Sequence, residues 1–269
     1  MMKQAIKSGQ KLHSRILLLI LVTALGLWLG PGQRRIAIKQ YEQTAASIQL
    51  PEVTPANSQP VNQKPAPESN APNSEPDSLP AQVNLNVPFT SQAPEGVWDT
   101  RHEEYCEEAS TLMVGRFFRG ESIVGPKDAE AAMRELESWE VKNLGYSAST
   151  TAAETAQLLE AVYAVGVKLE NNVSSEALKR ALANNKLVIV PAAGQELGNP
   201  YFKQPGPRYH MLVVKGYTNT GYFITNDPGT KRGANFLYKE KILLDAIGDY
   251  NNNNPAEGAK VALIVSNRP

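Results

Sequence analysis

QAPEGVWDTRHEEYCEEASTLMVGRFFRG, residues 92–120, holds the only cysteine of the chain, Cys106. A polar, turn-rich lead-in precedes the cysteine, and apolar residues then recur at helical spacing, as at Ala109, Met113 and Phe117. This pattern predicts that Cys106 lies at or just before the first turn of a helix whose other face is core. The unpaired N–H groups and the dipole of a helix N-terminus favour a thiolate, so Cys106 is a candidate nucleophile.

A single cysteine excludes an internal disulfide, and outside the cytoplasm Cys106 would be an unpaired thiol in an oxidising compartment. The competing interpretation is a buried, inert cysteine, since free cysteine is among the most buried residue types. The position at a predicted helix start and the candidate partners below favour the nucleophile.

A cysteine nucleophile needs a base within hydrogen-bond reach and a group that orients the base. The chain has three histidines, and His13 lies in the N-terminal tail. His102 lies four residues before Cys106, in the same predicted loop, whereas His210 begins the predicted strand HMLVVKGY. We expect His210 to be the base, because a rigid strand can aim its ring across a cleft.

The orienting group is sought at the end of the following strand, where the sequence reads Asn226, Asp227, Pro228 and Gly229. His210 and Asp227 lie nearly symmetrically about a turn at residues 218–219, which predicts that they are cross-strand neighbours. A carboxylate there would fix the imidazole tautomer and stabilise the imidazolium. Asn226 stays open as the alternative, and NDPG also suits a simple turn.

The N-terminal residues 16–30, ILLLILVTALGLWLG, are apolar and uncharged, and basic residues precede them. The pattern predicts a signal peptide or a short signal anchor, with an uncleaved anchor favoured because no good cleavage site follows closely. The charge flanks favour a cytoplasmic N-terminus. The expected location is therefore the cell membrane, single-pass with an extracytoplasmic catalytic domain, or secreted if the segment is cleaved.

Residues 51–80 contain eight prolines among mostly small and polar residues, which predicts an extended, disordered linker. The expected organisation is a basic N-terminus with the membrane segment (1–35), a stalk with the linker (36–80) and a catalytic domain (81–269). Residues 1–50 carry seven of the 27 basic residues and one of the 27 acidic residues, so the remainder is acidic. That remainder shows no basic patch of the kind that binds nucleic acid.

Helical patterns precede strand patterns in the domain, which predicts an α+β fold with N-terminal helices packed on a C-terminal antiparallel sheet. Thr151 and Glu154 form a predicted capping box, and Ser174 is a predicted helix start. The predicted helices after that of Cys106 cover residues 126–139, 151–163 and 174–185, and the predicted strands cover residues 83–89, 187–193, 210–217, 222–226 and 261–265.

Three stretches carry a family resemblance: VPFTSQ at 87–92, HMLVVKGY at 210–217 and YFITNDPG at 222–229. In this order, around a cysteine at a helix start, the chain resembles papain-like cysteine peptidases. It is most similar to cysteine peptidase family thirty-nine, the bacteriocin-processing, double-glycine type, and its relatives. The resemblance covers about residues 85–266 and implies a papain-like fold, a peptide or protein substrate, and neither metal nor organic cofactor.

The resemblance also implies roles for the candidate residues. Cys106 would be the nucleophile, His210 the general base and acid, and Asp227 the group that orients His210. Gln92 would be the side-chain donor to the oxyanion, together with the main-chain N–H of Cys106. The implied reaction is peptide-bond hydrolysis through a thioester on Cys106.

One departure from the family leaves other functions open. Glu107 and Glu108 follow the cysteine where the family usually has small residues, and carboxylates there oppose a neighbouring thiolate. The alternatives are an inactive peptidase-like domain that binds peptide or cell-envelope components, and an amidase or acyltransferase acting on cell-wall peptides. The polar residues around Cys106 lack a recognised metal-ligand spacing, so we expect no metal.

Overall fold

The computed structural model describes residues 30–54, 79–252 and 254–268 of the 269-residue chain. Helices and strands in these ranges are numbered in chain order. The helices are α1 (Pro31–Ser47), α2 (Cys106–Arg119), α3 (Gly125–Asn143), α4 (Ala152–Tyr163), α5 (Ser175–Ala183) and α6 (Glu240–Ala246). The strands are β1 (Val83–Asn84), β2 (Val165–Glu170), β3 (Leu187–Ala193), β4 (Tyr209–Tyr217), β5 (Tyr222–Asn226), β6 (Phe236–Lys239) and β7 (Ala262–Asn267).

Local sequence signals set several helix boundaries. Helix α2 begins at Cys106 and ends where Gly120 adopts a left-handed conformation, with φ of 67°, that glycine reaches without strain. The predicted capping box is confirmed, since Thr151 accepts from the Glu154 N–H and Glu154 accepts from the Thr151 N–H. Ser174 caps α5 with a single bond, in which its side chain accepts from the N–H of Ala177.

One antiparallel sheet has the strand order β2-β7-β3-β4-β5-β6, and β1 pairs with β4. Strands β3 and β4 are buried along their whole length. Together with the preceding helices, this sheet confirms the predicted α+β class. The alternating pattern predicted a strand over residues 83–89, which is longer than the observed β1. The N–H of Leu85 still donates to the Lys215 carbonyl, but the chain leaves β4 after this residue.

The central contact of the domain is α2 against β4. Ser110 of α2 donates to the main-chain oxygen of Met211 at 3.2 Å, which links the helix directly to the strand beside His210. Leu112 and Met113 of the same helix are completely buried. Each such side chain stabilises the fold by about 1.5–3 kcal/mol. Cys106 and His210 are therefore carried by two elements that the core holds together.

The predicted register of the β4–β5 hairpin was wrong. Val213 pairs with Asn226, and His210 pairs with Ala192 of β3. The difference arises because the hairpin turn lies later in the chain than predicted, and the bulge in β4 offsets this shift by only one residue. Asp227 consequently follows the end of β5 and is not a direct cross-strand neighbour of His210.

Helix α1 packs against the domain although it precedes the proline-rich tract. The ring of Tyr41 stacks on Phe236 with the ring centroids 4.3 Å apart, and its hydroxyl accepts from the Leu237 N–H at 3.0 Å. After the helix, Thr54 forms a bridge with Leu85. The division of the chain at residues 36 and 80 stays a prediction, but the first part of the predicted stalk touches the domain.

Within residues 30–54, 79–252 and 254–268, no helix is both long and apolar enough to cross a membrane. The predicted membrane segment, residues 16–30, lies outside these ranges apart from Gly30, as does most of the proline-rich tract. Both therefore remain predictions from sequence.

Candidate active site

Cys106 lines a cavity of about 380 Å³ at the N-terminus of α2, together with Gln92 and Gly229. Its side chain is buried, and the main chain of Met211 lies close enough to the sulfur to lower the pKa of the thiol, although burial and Glu107 outweigh this effect. Met211 directly follows His210, so the thiol lies close to the strand that carries the predicted base. The cysteine that the sequence singled out is thus at a cleft and next to β4.

The thiol is held in its protonated form in this arrangement. Burial raises the pKa of Cys106 well above its usual value, and Glu107 raises it further. The sulfur donates to Glu107 Oε2 at 3.0 Å, and Glu107 is itself buried. The expectation that the helix N-terminus would favour a thiolate was wrong for this state, because desolvation and a carboxyl partner outweigh the helix dipole.

His210 is buried and is held by one carboxylate. Its Nε2 lies 2.8 Å from Asp227 Oδ1, so the predicted pairing of these side chains is present despite the shifted register. Phe202 packs edge-on against the ring, and Gly229 lies so close that a Cβ there would approach His210 Cε1 to 3.0 Å. In the described part of the chain, Nδ1 of His210 has no hydrogen bond, which leaves it available for proton transfer.

Asp227 is surrounded by four donors. Its Oδ1 accepts from His210 and from the Gly229 N–H at 2.9 Å, while Oδ2 accepts from Asn199 Nδ2 at 2.9 Å and from the Tyr238 hydroxyl at 2.5 Å. Burial alone would raise the pKa of Asp227, but the charge of His210 and these hydrogen bonds hold it below its usual value. The carboxylate is therefore ionised and fixed in direction.

Asn226, the alternative partner of His210, points elsewhere. Its Nδ2 donates to the carbonyls of Val87 and Pro88, both at 3.2 Å. This side chain ties the end of β5 to the segment that leads to Gln92. The sequence left open whether Asn226 or Asp227 orients His210, and of these two only Asp227 contacts the histidine.

Gln92 lies at the cavity but does not present a free donor. Its Nε2 donates to the main-chain oxygens of His102 at 2.8 Å and Glu103 at 3.2 Å, and its buried Oε1 has no partner in the described residues. The orientation of the Gln92 amide follows from the two carbonyls, because they can accept a hydrogen bond from the amide nitrogen but not from the amide oxygen. A role as oxyanion donor would require these bonds to rearrange when substrate binds.

His102, the other candidate base, uses both ring nitrogens. Nδ1 lies 2.7 Å from Asp99 Oδ1 and Nε2 lies 2.9 Å from Glu130 Oε2. Burial would lower the pKa of His102, but the bonds to Glu130 and Asp99 raise it overall. The ring ties the loop before α2 to α3 and is not available to Cys106.

The sequence did not predict a cluster of buried carboxyl groups next to the thiol. Burial raises the pKa of Glu107 and of Glu140 to about 8 and that of Glu108 well above its usual range. Glu108 and Glu140 act on each other's pKa, and the carboxyl oxygens of both have no hydrogen-bond partner among the described residues. The sequence signal for Glu140 was its position at a core site of α3, in register with the buried residues Met133 and Leu136. In the ranges described, no cluster of His, Cys, Asp and Glu is arranged to hold a metal ion.

Comparison with known proteins places this site in a family context. Residues 84–252 match the family described as Peptidase_C39 like family. The chain is similar to the crystal structure of a protein assigned as a C39-like peptidase from Bacillus anthracis, with a TM-score of 0.45 and 16% identity over 68% of this chain and 96% of that one. No curated protein matches the chain.

Proposed function

Since the chain belongs to the Peptidase_C39 like family, as its sequence resemblance indicated, we propose that it is a cysteine peptidase with Cys106 as nucleophile. The observation that carries the proposal is the buried His210–Asp227 pair. His210 lies on β4 directly before Met211, whose main chain is close to the sulfur, and Asp227 follows the end of β5. A histidine held on one nitrogen by a carboxylate is the base that a thiol nucleophile needs.

The proposed reaction begins with transfer of the Cys106 proton to Nδ1 of His210. The thiolate attacks the carbonyl carbon of the peptide bond, and the amine leaves with the proton from the imidazolium. Water, deprotonated by the same histidine, then attacks the thioester and releases the acid and the thiol. Asp227 stabilises the imidazolium at both stages, because its four donors keep it ionised.

The developing oxyanion is proposed to bind at the N-terminus of α2. The main-chain N–H of Cys106 is one of the unpaired donors at that helix end. Gln92 would be the second donor only after its amide leaves the carbonyls of residues 102 and 103. The hydrogen bond from the thiol to Glu107 must break too, so the described state is a resting state.

A tether outside the cytoplasm is the proposed location, supported by the apolar residues 16–30 and their basic flank. Protease added to spheroplasts should release a soluble fragment that begins in the proline-rich tract. Release only after lysis would contradict this location.

A second function is a binding domain without turnover, and the bond between Cys106 and Glu107 favours it. If that bond persists with substrate present, the thiol stays protonated and no acyl-enzyme forms. The cleft would then hold a peptide or a cell-envelope component without cleaving it.

The two functions are separated by incubating the full chain with a proteome-derived peptide library and sequencing new termini. A peptidase produces cleavage that is lost in Cys106→Ala, and acid quenching traps a thioester of the N-terminal product on Cys106. No cleavage by the wild-type chain, or equal cleavage by both proteins, would overturn the peptidase proposal.

A further inference from the structure

A second, larger cavity of about 750 Å³ adjoins the cavity of Cys106. Trp98, Lys203 and Gly229 line both cavities, so the two form one groove. Gly229 also lies against the His210 ring, which places the junction next to the proposed base. The volume lies within the range of roughly 300–1,000 Å³ that ligand sites have.

The charges along this larger cavity are mainly basic, whereas in the cavity of Cys106 Lys203 and Arg208 are matched by Glu103 and Glu104. Arg34, Lys203 and Lys231 line it, and Glu95 is the acidic residue among its lining residues in the described ranges. This contrasts with residues 51–269, in which acidic residues outnumber basic ones. The basic lining is therefore a local feature and not a consequence of overall composition.

Arg34 belongs to α1, outside the residues that match the family. Its Nε donates to the Pro200 carbonyl at 3.3 Å and its Nη2 to the Tyr201 carbonyl at 3.4 Å. These bonds orient the guanidinium and use two of its five N–H groups, so further donors remain for a ligand. The stacking of Tyr41 on Phe236 fixes the helix that carries it.

The positive charges of the two lysines are not neutralised by strong ion pairs with the described residues. Lys231 is exposed and makes no hydrogen bond or ion pair with the described residues. Lys203 pairs with Glu103 at 3.2 Å, but its side chain is 88% exposed, and such surface pairs are weak. Between them and the thiol, Trp98 leaves 44% of its surface exposed, an apolar ring at the junction of the cavities.

We propose that the larger, basic cavity of this groove binds an acidic segment of the peptide substrate, so that the enzyme selects peptides with Asp or Glu at positions that lie in this cavity. The proposal rests on the proposed peptidase function. A peptide fits better than another polyanion, because the groove runs into the cavity of the nucleophile and the exposed Trp98 ring suits packing against a peptide chain. Carboxylates of the segment would pair with Arg34 and Lys231, with Lys203 closer to the thiol.

The test measures binding without cleavage, so that it does not depend on turnover. The full chain carrying Cys106→Ala is titrated into fluorescent peptides of equal length that contain Glu or Gln at the same positions, and anisotropy is recorded at low and high salt. We expect the Glu peptide to bind about tenfold more tightly than the Gln peptide at low salt, and the difference to shrink as salt screens the charges.

Two matched pairs of variants locate the effect. Arg34→Gln is compared with Arg35→Gln, an exposed neighbour on α1 that does not line the groove. Lys231→Gln is compared with Lys186→Gln. Lys186 directly precedes β3, and the residue of β3 that pairs with His210, Ala192, lies at the other end of that strand. The groove variants should each weaken Glu-peptide binding about threefold to tenfold, and the controls should leave it unchanged.

Three results would overturn the proposal: equal affinity for the Glu and Gln peptides, equal losses in Arg34→Gln and Arg35→Gln, or tight binding of polyphosphate without binding of the Glu peptide. If the Glu peptide binds through Arg34 but the wild-type chain cleaves nothing, the groove stands and the peptidase proposal fails. If peptides are cleaved without any preference for acidic residues, the peptidase stands and the groove assignment fails.

Discussion

His102 and His210 are both buried and both touch carboxylates, yet their surroundings differ in one respect. His102 is engaged on both ring nitrogens, by Asp99 and Glu130. Among the described residues His210 is engaged through Nε2 alone, by Asp227, and its ring lies against Gly229, which lines the cavity of Cys106. General base catalysis requires a nitrogen that can gain and lose a proton, so burial and a carboxylate partner do not by themselves make a histidine a base.

The comparison assigns separate tasks to the two rings. His102 fixes the loop before α2, and its main-chain oxygen anchors the Gln92 amide. In the proposed mechanism His210 accepts the proton of Cys106, and Asp227 fixes the direction of its ring. The following predictions test this division.

The largest effect is expected for His210→Ala. Loss of the general base should lower kcat/KM by about 10²-fold to 10⁴-fold, measured with any peptide that the library assay identifies. Circular dichroism would establish that the variant is folded. A loss of less than tenfold would remove His210 from the proposed mechanism.

Asp227→Asn should cost less than His210→Ala. An amide oxygen can still accept from His210 Nε2, but the charge that stabilises the imidazolium is gone, so kcat/KM should fall by about tenfold to 100-fold. The decrease should appear mainly in kcat. A variant as impaired as His210→Ala would mean that Asp227 does more than orient and stabilise the ring.

His102→Gln should act on stability and not on chemistry. Because the folded protein raises the pKa of His102, the ion pairs contribute fully below the unfolded pKa of about 6.5 and are lost as pH rises through the folded pKa. At pH 6 the variant should lose about 1–2 kcal/mol of unfolding free energy, and the difference should shrink at higher pH. Urea unfolding at several pH values measures this, and a pH-independent difference would contradict it.

The smallest effect is expected for Glu107→Gln. With a pKa of about 8, Glu107 is mostly neutral at pH 7 and becomes charged above it, where it opposes the neighbouring thiolate. Iodoacetamide should therefore label the variant about threefold faster than wild type at pH 9 and at a similar rate at pH 6. Glu135→Gln, an exposed change on α3, is the control, and equal rates at pH 9 would mean that Glu107 does not act on the sulfur.

The sequence alone singled out Cys106, His210 and Asp227 as candidates, because each lies at or next to the end of a helix or strand that its neighbours reveal. The contact between His210 and Asp227 was predicted even though the strand register was not. Asp227 follows the last residue of β5, where the chain turns, so its side chain reaches the ring without direct cross-strand pairing.

Other parts of the site depended on packing that no local pattern shows. Glu108 and Glu140 meet because α2 packs on α3, and the sequence separates them by 32 residues. Likewise, Tyr41 joins the domain through a ring contact with β6, a strand too short to show a clear alternation. The burial that keeps Cys106 protonated also depends on tertiary packing and not on its place at a helix start.

The most direct test of the division between the two histidines is the pH dependence of Cys106 alkylation in wild type, His210→Ala and His102→Gln. Cys106 is the only thiol, so the label reports this site alone. The account predicts that His210→Ala slows labelling at neutral pH and removes the imidazole-dependent step from the pH profile. His102→Gln should keep the wild-type rate at neutral pH and the same step. A wild-type profile in His210→Ala, or its loss in His102→Gln, would contradict the assignment of His210 as the base.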